Sequence, residues 1–299
     1  MSVGVDFDFA RWIAERRGAI EQQAREGSAY AFAGEYKYRR TLMAARPVAI
    51  AIEATTRAWR DKVRDELVGA SLKISDAQFP RVYGLARKAG QAMRVRVPTV
   101  LAAPKGHGIT VKALGMPDNP YLFVDQHLAE KLDDATLLFA LGHELGHIQN
   151  GQVLYSTALH YLQHSAGLFV RWTVQPAVIA LAAWARRAEI TCDRAGLLAV
   201  GDLEKALLAM VRLSVPTDEA VTVDAAAILR DLPPPEQPTR GLGKYTELLR
   251  GNPFMTKRVA ALRWYAESGN YAVAVKADPS GKPSLVEVDA RIADLISVF

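Results

Sequence analysis

The 299-residue chain has a single cysteine, Cys192, so no internal disulfide can form, which fits a reducing compartment. It has no dense block of one charge. Its 37 lysines and arginines exceed its 32 acids by only five and are spread along the sequence, which argues against a nucleic-acid-binding surface. Nor does it have a long apolar run. The nearest, Ser165 to Ala185, is interrupted by Arg171, Gln175 and Pro176, and a central arginine costs about 2.5–3.5 kcal/mol on membrane-insertion scales. Two buried or surface-seated helices are expected there, rather than a span of the roughly 20 apolar residues a bilayer needs. Seating of this stretch on a membrane stands only as an alternative. The first residues, Met1 to Asp8, lack the positive-then-apolar order of a signal peptide. A cytoplasmic location is the resulting expectation. No internal repeat is found.

What the chain does have is material for a core: 50% of its residues are hydrophobic and 23% charged, as in ordinary globular proteins. The first ninety residues read as helices, from Phe7 to Arg25, from Ser28 to Ala45, and from Pro47 through Trp59 to about Gly69. Asp76 is the expected N-cap of a further helix that ends near Gly90. The texture then changes. Three short β-branched or aromatic runs, at 98–103, 108–114 and 120–124, are bounded by Gly, Pro, Asp or Asn and predict a small sheet. Helix returns from Asp133 to about Arg230. A proline-rich segment, 232–240, reads as a linker or exposed lid. Helices near Leu242–Leu249 and Met255–Glu267 follow, then a weak strand, a turn at Pro279–Pro283 and a short last helix. The division this implies is an N-terminal helical region, 1–75, and a second domain, 76–299. The fold class is α+β and mostly helical.

The segment from Leu132 to Gly151 reads as one amphipathic helix. Asp133 or Asp134 caps its start, Leu137, Leu141, Leu145 and Ile148 form a core stripe, and Asn150-Gly151 is its stop. His143 and His147 stand four apart, so both imidazoles project from one side. Such a pair fills two corners of a tetrahedral zinc site. Glu144, next to the first histidine, is placed to reach a metal-bound water rather than the metal. Zinc lowers the pKa of that water to about 7, and Glu144 can take its proton during attack on a carbonyl and pass it to the leaving amine. Gly142 and Gly146 cost roughly 1 kcal/mol each inside a helix, and close approach of another backbone would explain them. A third ligand is needed. His160 and His164 are also four apart, but no acid follows the first of them, and they read as a helix surface or packing face. Glu189, with Asp193 one turn later, is the better candidate: Glu189 could bind the metal while Asp193 orients a histidine. Spacing alone leaves these two acids equally readable as partners of nearby arginines. Cys192, between them, points elsewhere and reads as a small packed residue.

The motif His143-Glu-Leu-Gly-His147 together with Glu189-Ile-Thr-Cys-Asp193-Arg194-Ala-Gly196 resembles metallopeptidase family forty-eight, which includes HtpX-type proteases, Oma-type proteases and the CAAX prenyl endopeptidases. The resemblance covers roughly residues 80–268. It implies a gluzincin-like domain with a small sheet packed on the active-site helix. It also implies one zinc per chain, Glu189 as third ligand and Asp193 behind it. The implied activity is endoproteolysis of a peptide or unfolded protein that adds as a strand along the sheet edge. Two departures stand out. Lys112 occupies a position where the family often has asparagine. Asn252-Pro253, followed by Arg258, stands where the family often has His-Pro and a later arginine. Asn252 can donate a hydrogen bond to an oxyanion but carries no charge. A peptidase-like binding or chaperone module with little turnover is therefore the alternative reading. The N-terminal helices and the loop 232–240 are expected to cover the cleft in part.

Overall fold

The structure, a computed structural model, describes residues 27–104, 110–164, 168–215, 219, 222–235 and 250–297. The helices expected at 7–25 and 242–249 lie outside these residues, as does most of the proline-rich segment. The described chain is α+β and mostly helical.

It begins with helices α1 (Ala33–Met43) and α2 (Arg46–Ala58), the latter continuing through a π-helical turn, Trp59–Val63, into α3 (Arg64–Gly69). Strand β1 (Leu72–Lys73) precedes α4 (Pro80–Met93). Asp76 does not cap α4. Phe79 occupies the N-cap in the left-handed region, φ 61°, and Pro80 takes the first helical position. Proline is favoured there because its missing N–H would be unpaired in any case, and it disfavours helical backbone in the residue before it. Asp76 instead stands 3.6 Å from Arg87.

Strands β2 (Thr99–Ala102), β3 (Val111–Met116) and β4 (Asn119–Val124) join β1 in one sheet of order β1-β2-β4-β3. β2 and β4 are parallel, and the other two pairings are antiparallel. β3 is an edge strand, with Leu114 opposite Tyr121 and Ala113 opposite Leu122. Short helix α5 (Gln126–Lys131) leads into α6 (Asp134–Gln149), the predicted histidine helix. Asp133 caps α6, its carboxylate accepting from Thr136 N–H at 2.7 Å. One face of the sheet, through Val100, Ala102, Leu122 and Val124, shares a core with Leu137, Leu141 and Leu145 of α6.

After α7 (Val153–His164) comes α8 (Leu168–Val200), a 33-residue helix with Pro176 inside it. The two helices expected between Ser165 and Ala185 are thus part of a single one. Ala177, Leu181, Trp184 and Ala188 keep a helical apolar spacing beyond the proline and pack on Leu42, Val48, Tyr155 and Leu159. That burial outweighs the one backbone bond proline removes. Among the described residues no helix is long and apolar enough to cross a membrane.

Helices α9 (Leu203–Ser214), α10 (Ala225–Asp231), α11 (Met255–Glu267), α12 (Gly269–Ala274) and α13 (Leu285–Ile296) complete the chain. The weak strand expected after Ser268 is the helix α12. Ser268 Oγ accepts from Tyr271 N–H at 3.2 Å, and Tyr271 packs edge-on against Tyr265, so a cap and a ring contact replace strand pairing.

The first helices share cores with the rest of the molecule. Leu42 and Val48 join α7 and α8, while Trp59 and Leu67 join the other face of the sheet at Leu101, Leu114 and Phe123.

Candidate metal and active site

The site is built where α6 crosses α8. The crossing is close because Gly142 and Gly146 present no side chain to it. A Cβ on Gly142 would lie 2.4 Å from Ala199 Cβ, and one on Gly146 would lie 2.7 Å from Ala195 Cβ. This is the close approach that the two glycines predict, and it brings Glu189 and Asp193 of α8 beside the histidines of α6.

Glu189 Oε2 lies 3.5 Å from His143 Nε2, and Oε1 lies 3.7 Å from His147 Nε2. The opposite nitrogen of each ring is tied down. His143 Nδ1 lies 3.2 Å from Asp193 Oδ1, and His147 Nδ1 lies 2.8 Å from Gln152 Oε1. Both partners can accept, so a neutral ring at either position carries its proton on Nδ1 and turns the lone pair of its Nε2 toward Glu189. Arg258 closes the far side, its Nε and Nη2 donating to the two oxygens of Asp193 at 2.8 and 2.5 Å. It also stands 3.4 Å from Glu189 Oε2.

Burial opposes charge on His143, but the carboxylates of Glu189 and Asp193 outweigh it and push its pKa up to about 10. Burial likewise works against ionised Glu189, yet His143, His147 and Arg258 hold its carboxyl well below the ordinary range.

Gln152 was not singled out in the sequence. Gly151, at φ 64°, turns the chain back after α6, and Gln152 N–H donates to His147 O at 2.9 Å. This reversal carries the Gln152 side chain under the His147 ring. Its Oε1 also accepts from Cys192 Sγ–H at 3.3 Å. Its amide nitrogen has no hydrogen-bond partner among the described residues. The electrostatic neighbours of buried Glu35 include Gln152 and His147. Trp184 Nε1–H donates to Glu35 at 2.8 Å.

Two donor sets could accept a metal. His143, His147 and Cys192 offer ligand atoms within 4.8 Å of one another. His143, His147 and Glu189 are the other. Cys192 is fully buried and shares Gln152 Oε1 with His147, so it lies on the proton-bearing side of that ring. Glu189 faces both lone pairs and lines the open cleft. Two ligands at about 2.0–2.1 Å from a tetrahedral zinc lie roughly 3.3–3.4 Å apart, close to the separations of Glu189 from the two histidines. Two imidazoles and a carboxylate fit zinc.

Glu144 Oε2 accepts from the backbone N–H of Ala113 on edge strand β3 at 2.7 Å. The cleft has two lobes. One, of about 590 Å³, holds His143, Glu144 and Phe139. The other, of about 390 Å³, holds His147, His160 and Trp184. Lys112, Glu189, Arg250 and Asn252 line both lobes, so Asn252 stands where they meet. His160 reaches the cleft wall without joining the cluster around Glu189. No residue from 27 to 75 lines either lobe, so the described part of the N-terminal region does not cover the cleft.

A His-Glu-x-x-His helix beneath an edge strand, with a carboxylate delivered by a second helix, defines a metallopeptidase. Comparison with known proteins narrows the class. The model for peptidase family M48 matches residues 112–266, more than half of the chain, and the chain belongs to that family. Over 157 residues it is 28% identical to plastoglobule-localized metallopeptidase 48, chloroplastic, of Arabidopsis thaliana, a match covering 50% of this chain and 44% of that protein. The chain thus matches less than half the length of that relative. No solved structure matches it significantly.

Proposed function

We propose that this chain is a zinc-dependent endopeptidase acting on peptide or unfolded protein segments, with His143, His147 and Glu189 holding one zinc ion and Glu144 acting as the base. The observation that carries this reading is the convergence of both histidine Nε2 atoms on Glu189, within 3.7 Å, beside a glutamate anchored to the sheet edge. When bound, zinc supplies Lewis acidity that lowers the pKa of water to about 7 and polarises a carbonyl.

The chain's own groups do the rest. Ala113 N–H holds Oε2 of Glu144, which leaves Oε1 to take a proton and later return it to the leaving amine. Asp193, clamped by Arg258, fixes the ring of His143, and Gln152 fixes the ring of His147. Strand alternation points the backbone groups of Val111 and Ala113 off the sheet. With Ala113 N–H engaged by Glu144, the groups of Val111 and the Ala113 carbonyl remain to pair with an extended substrate. Asn252 donates its amide hydrogen to the developing oxyanion.

Hydrolysis of an unfolded test protein by zinc-loaded wild type and by Glu144→Gln tests the reading. The variant is expected to keep its zinc and lose about 10²–10⁴-fold in kcat, the range for a missing general base. Equal, negligible turnover by both proteins, with tight retention of the unfolded protein, would favour the binding-module reading that the uncharged Asn252 motivates.

A further inference from the structure

The charge lining the cleft is lopsided. Among the described lining residues the acids are Glu144 and Glu189, both engaged at the candidate site. The bases, histidines aside, are Lys112, Arg212, Arg250 and Arg258. Arg258 is neutralised by Asp193 and Glu189, and Arg212 by Asp133. Lys112 and Arg250 have no acidic partner among the described residues. They are also two of the four residues that line both lobes, so they stand where the lobes meet, at Glu189. They come from opposite parts of the chain. Lys112 is on edge strand β3, next to the residue whose N–H holds Glu144. Arg250 precedes α11, its guanidinium 5.6 Å from the centre of the Phe254 ring. A substrate strand added along β3 would run beside Lys112, at the junction that Arg250 also lines.

We infer that the cleft selects substrates carrying an aspartate or glutamate beside the scissile bond, read by Lys112 on the edge strand and by Arg250 on the segment before α11. This rests on the peptidase reading and assigns its substrate class. An acidic side chain at that point replaces solvent around two cations that have no acidic partner among the described residues, whereas a lysine meets like charge from both. The groups are partly exposed, so the discrimination is moderate and falls with salt.

The test uses zinc-loaded full-length protein and a matched set of quenched fluorescent peptides. They differ only in having Glu, Gln or Lys at the residues flanking the cleaved bond. The expected order of kcat/KM is Glu over Gln over Lys, with about five- to tenfold between the first two at low salt. The gap should lie mainly in KM and shrink at high salt. In the double variant Lys112→Glu/Arg250→Glu the order inverts. Equal kcat/KM for the three peptides overturns the inference, as does an acidic preference that survives in the double variant. A loss of kcat in Arg250→Gln that is the same for all three peptides overturns it too, because it marks a transition-state role instead. A second readout separates this from the peptidase reading. Binding of the same peptides to Glu144→Gln protein, followed by fluorescence anisotropy, should show the same Glu-over-Gln order. If wild type cleaves none of them but that order appears, the peptidase reading falls and the acidic preference stands.

Discussion

Gln152 Oε1 takes two donors at once, the ring of His147 at 2.8 Å and the thiol of Cys192 at 3.3 Å. With its oxygen presented to both, Gln152 favours the His147 tautomer that carries its proton on Nδ1 and leaves its lone pair on Nε2. Gln152→Leu should therefore weaken zinc binding by about 10–100-fold, the usual cost of losing a group that orients a metal-binding histidine. Competition with a chromogenic chelator measures it, and an unchanged affinity would count against the role. That the histidines, Glu189, Asp193 and Arg258 lie together was expected from the sequence: helical spacing pairs the histidines, and the family resemblance brings in the two acids and Arg258. Gln152 was not, because its approach depends on the left-handed turn at Gly151. Nor was the Ala113 N–H that anchors Glu144, because a backbone donor on an edge strand has no side-chain signature.

Helix α6 and helix α8 make the site by crossing, and the crossing needs Gly142 and Gly146. Gly142→Ala would gain roughly 1 kcal/mol of helix propensity. It would also force a methyl to within 2.4 Å of Ala199 Cβ, with Ala195 O at 3.2 Å. Overpacking of this kind costs about 1–3 kcal/mol. The expected net result is a less stable protein, read as a lower midpoint in urea, with weaker zinc binding as α8 moves off α6. A variant as stable as wild type would show that the helices can separate freely. The bounds of α6 were readable from its cap, stripe and stop. The continuity of α8 through Pro176 was not, because it comes from packing against α2 and α7, which no local pattern records. β1 was missed for a related reason: two residues carry no alternation and form a strand only because β2 is there to pair with them.

At the scale of the whole molecule, Arg194 joins the ends of the described chain to the helix that supplies Glu189. Its Nη1 donates to Tyr30 O at 3.0 Å and its Nη2 to Asp289 Oδ1 at 2.6 Å. Asp289 Oδ2 in turn accepts from Ala33 N–H at 2.8 Å. The guanidinium stacks near Tyr265, 4.7 Å from the ring centre. Residues 30–33 and α13 both lie outside the family match at 112–266, yet they meet on an arginine inside it. Asp289→Ala would leave this cation buried without its counter-charge, which costs about 3–5 kcal/mol. Thermal and urea unfolding should show a loss of that size, and a loss below 1 kcal/mol would mean that the two ends dock independently of the pair.

The choice between Glu189 and Cys192 as third donor decides how the two motifs work together. Metal analysis of wild type, Cys192→Ala and Glu189→Ala, each purified without chelator, resolves it. One zinc per chain in wild type, kept in Cys192→Ala and lost in Glu189→Ala, is the expected result. Zinc retained by Glu189→Ala and lost by Cys192→Ala would contradict the site proposed for this chain.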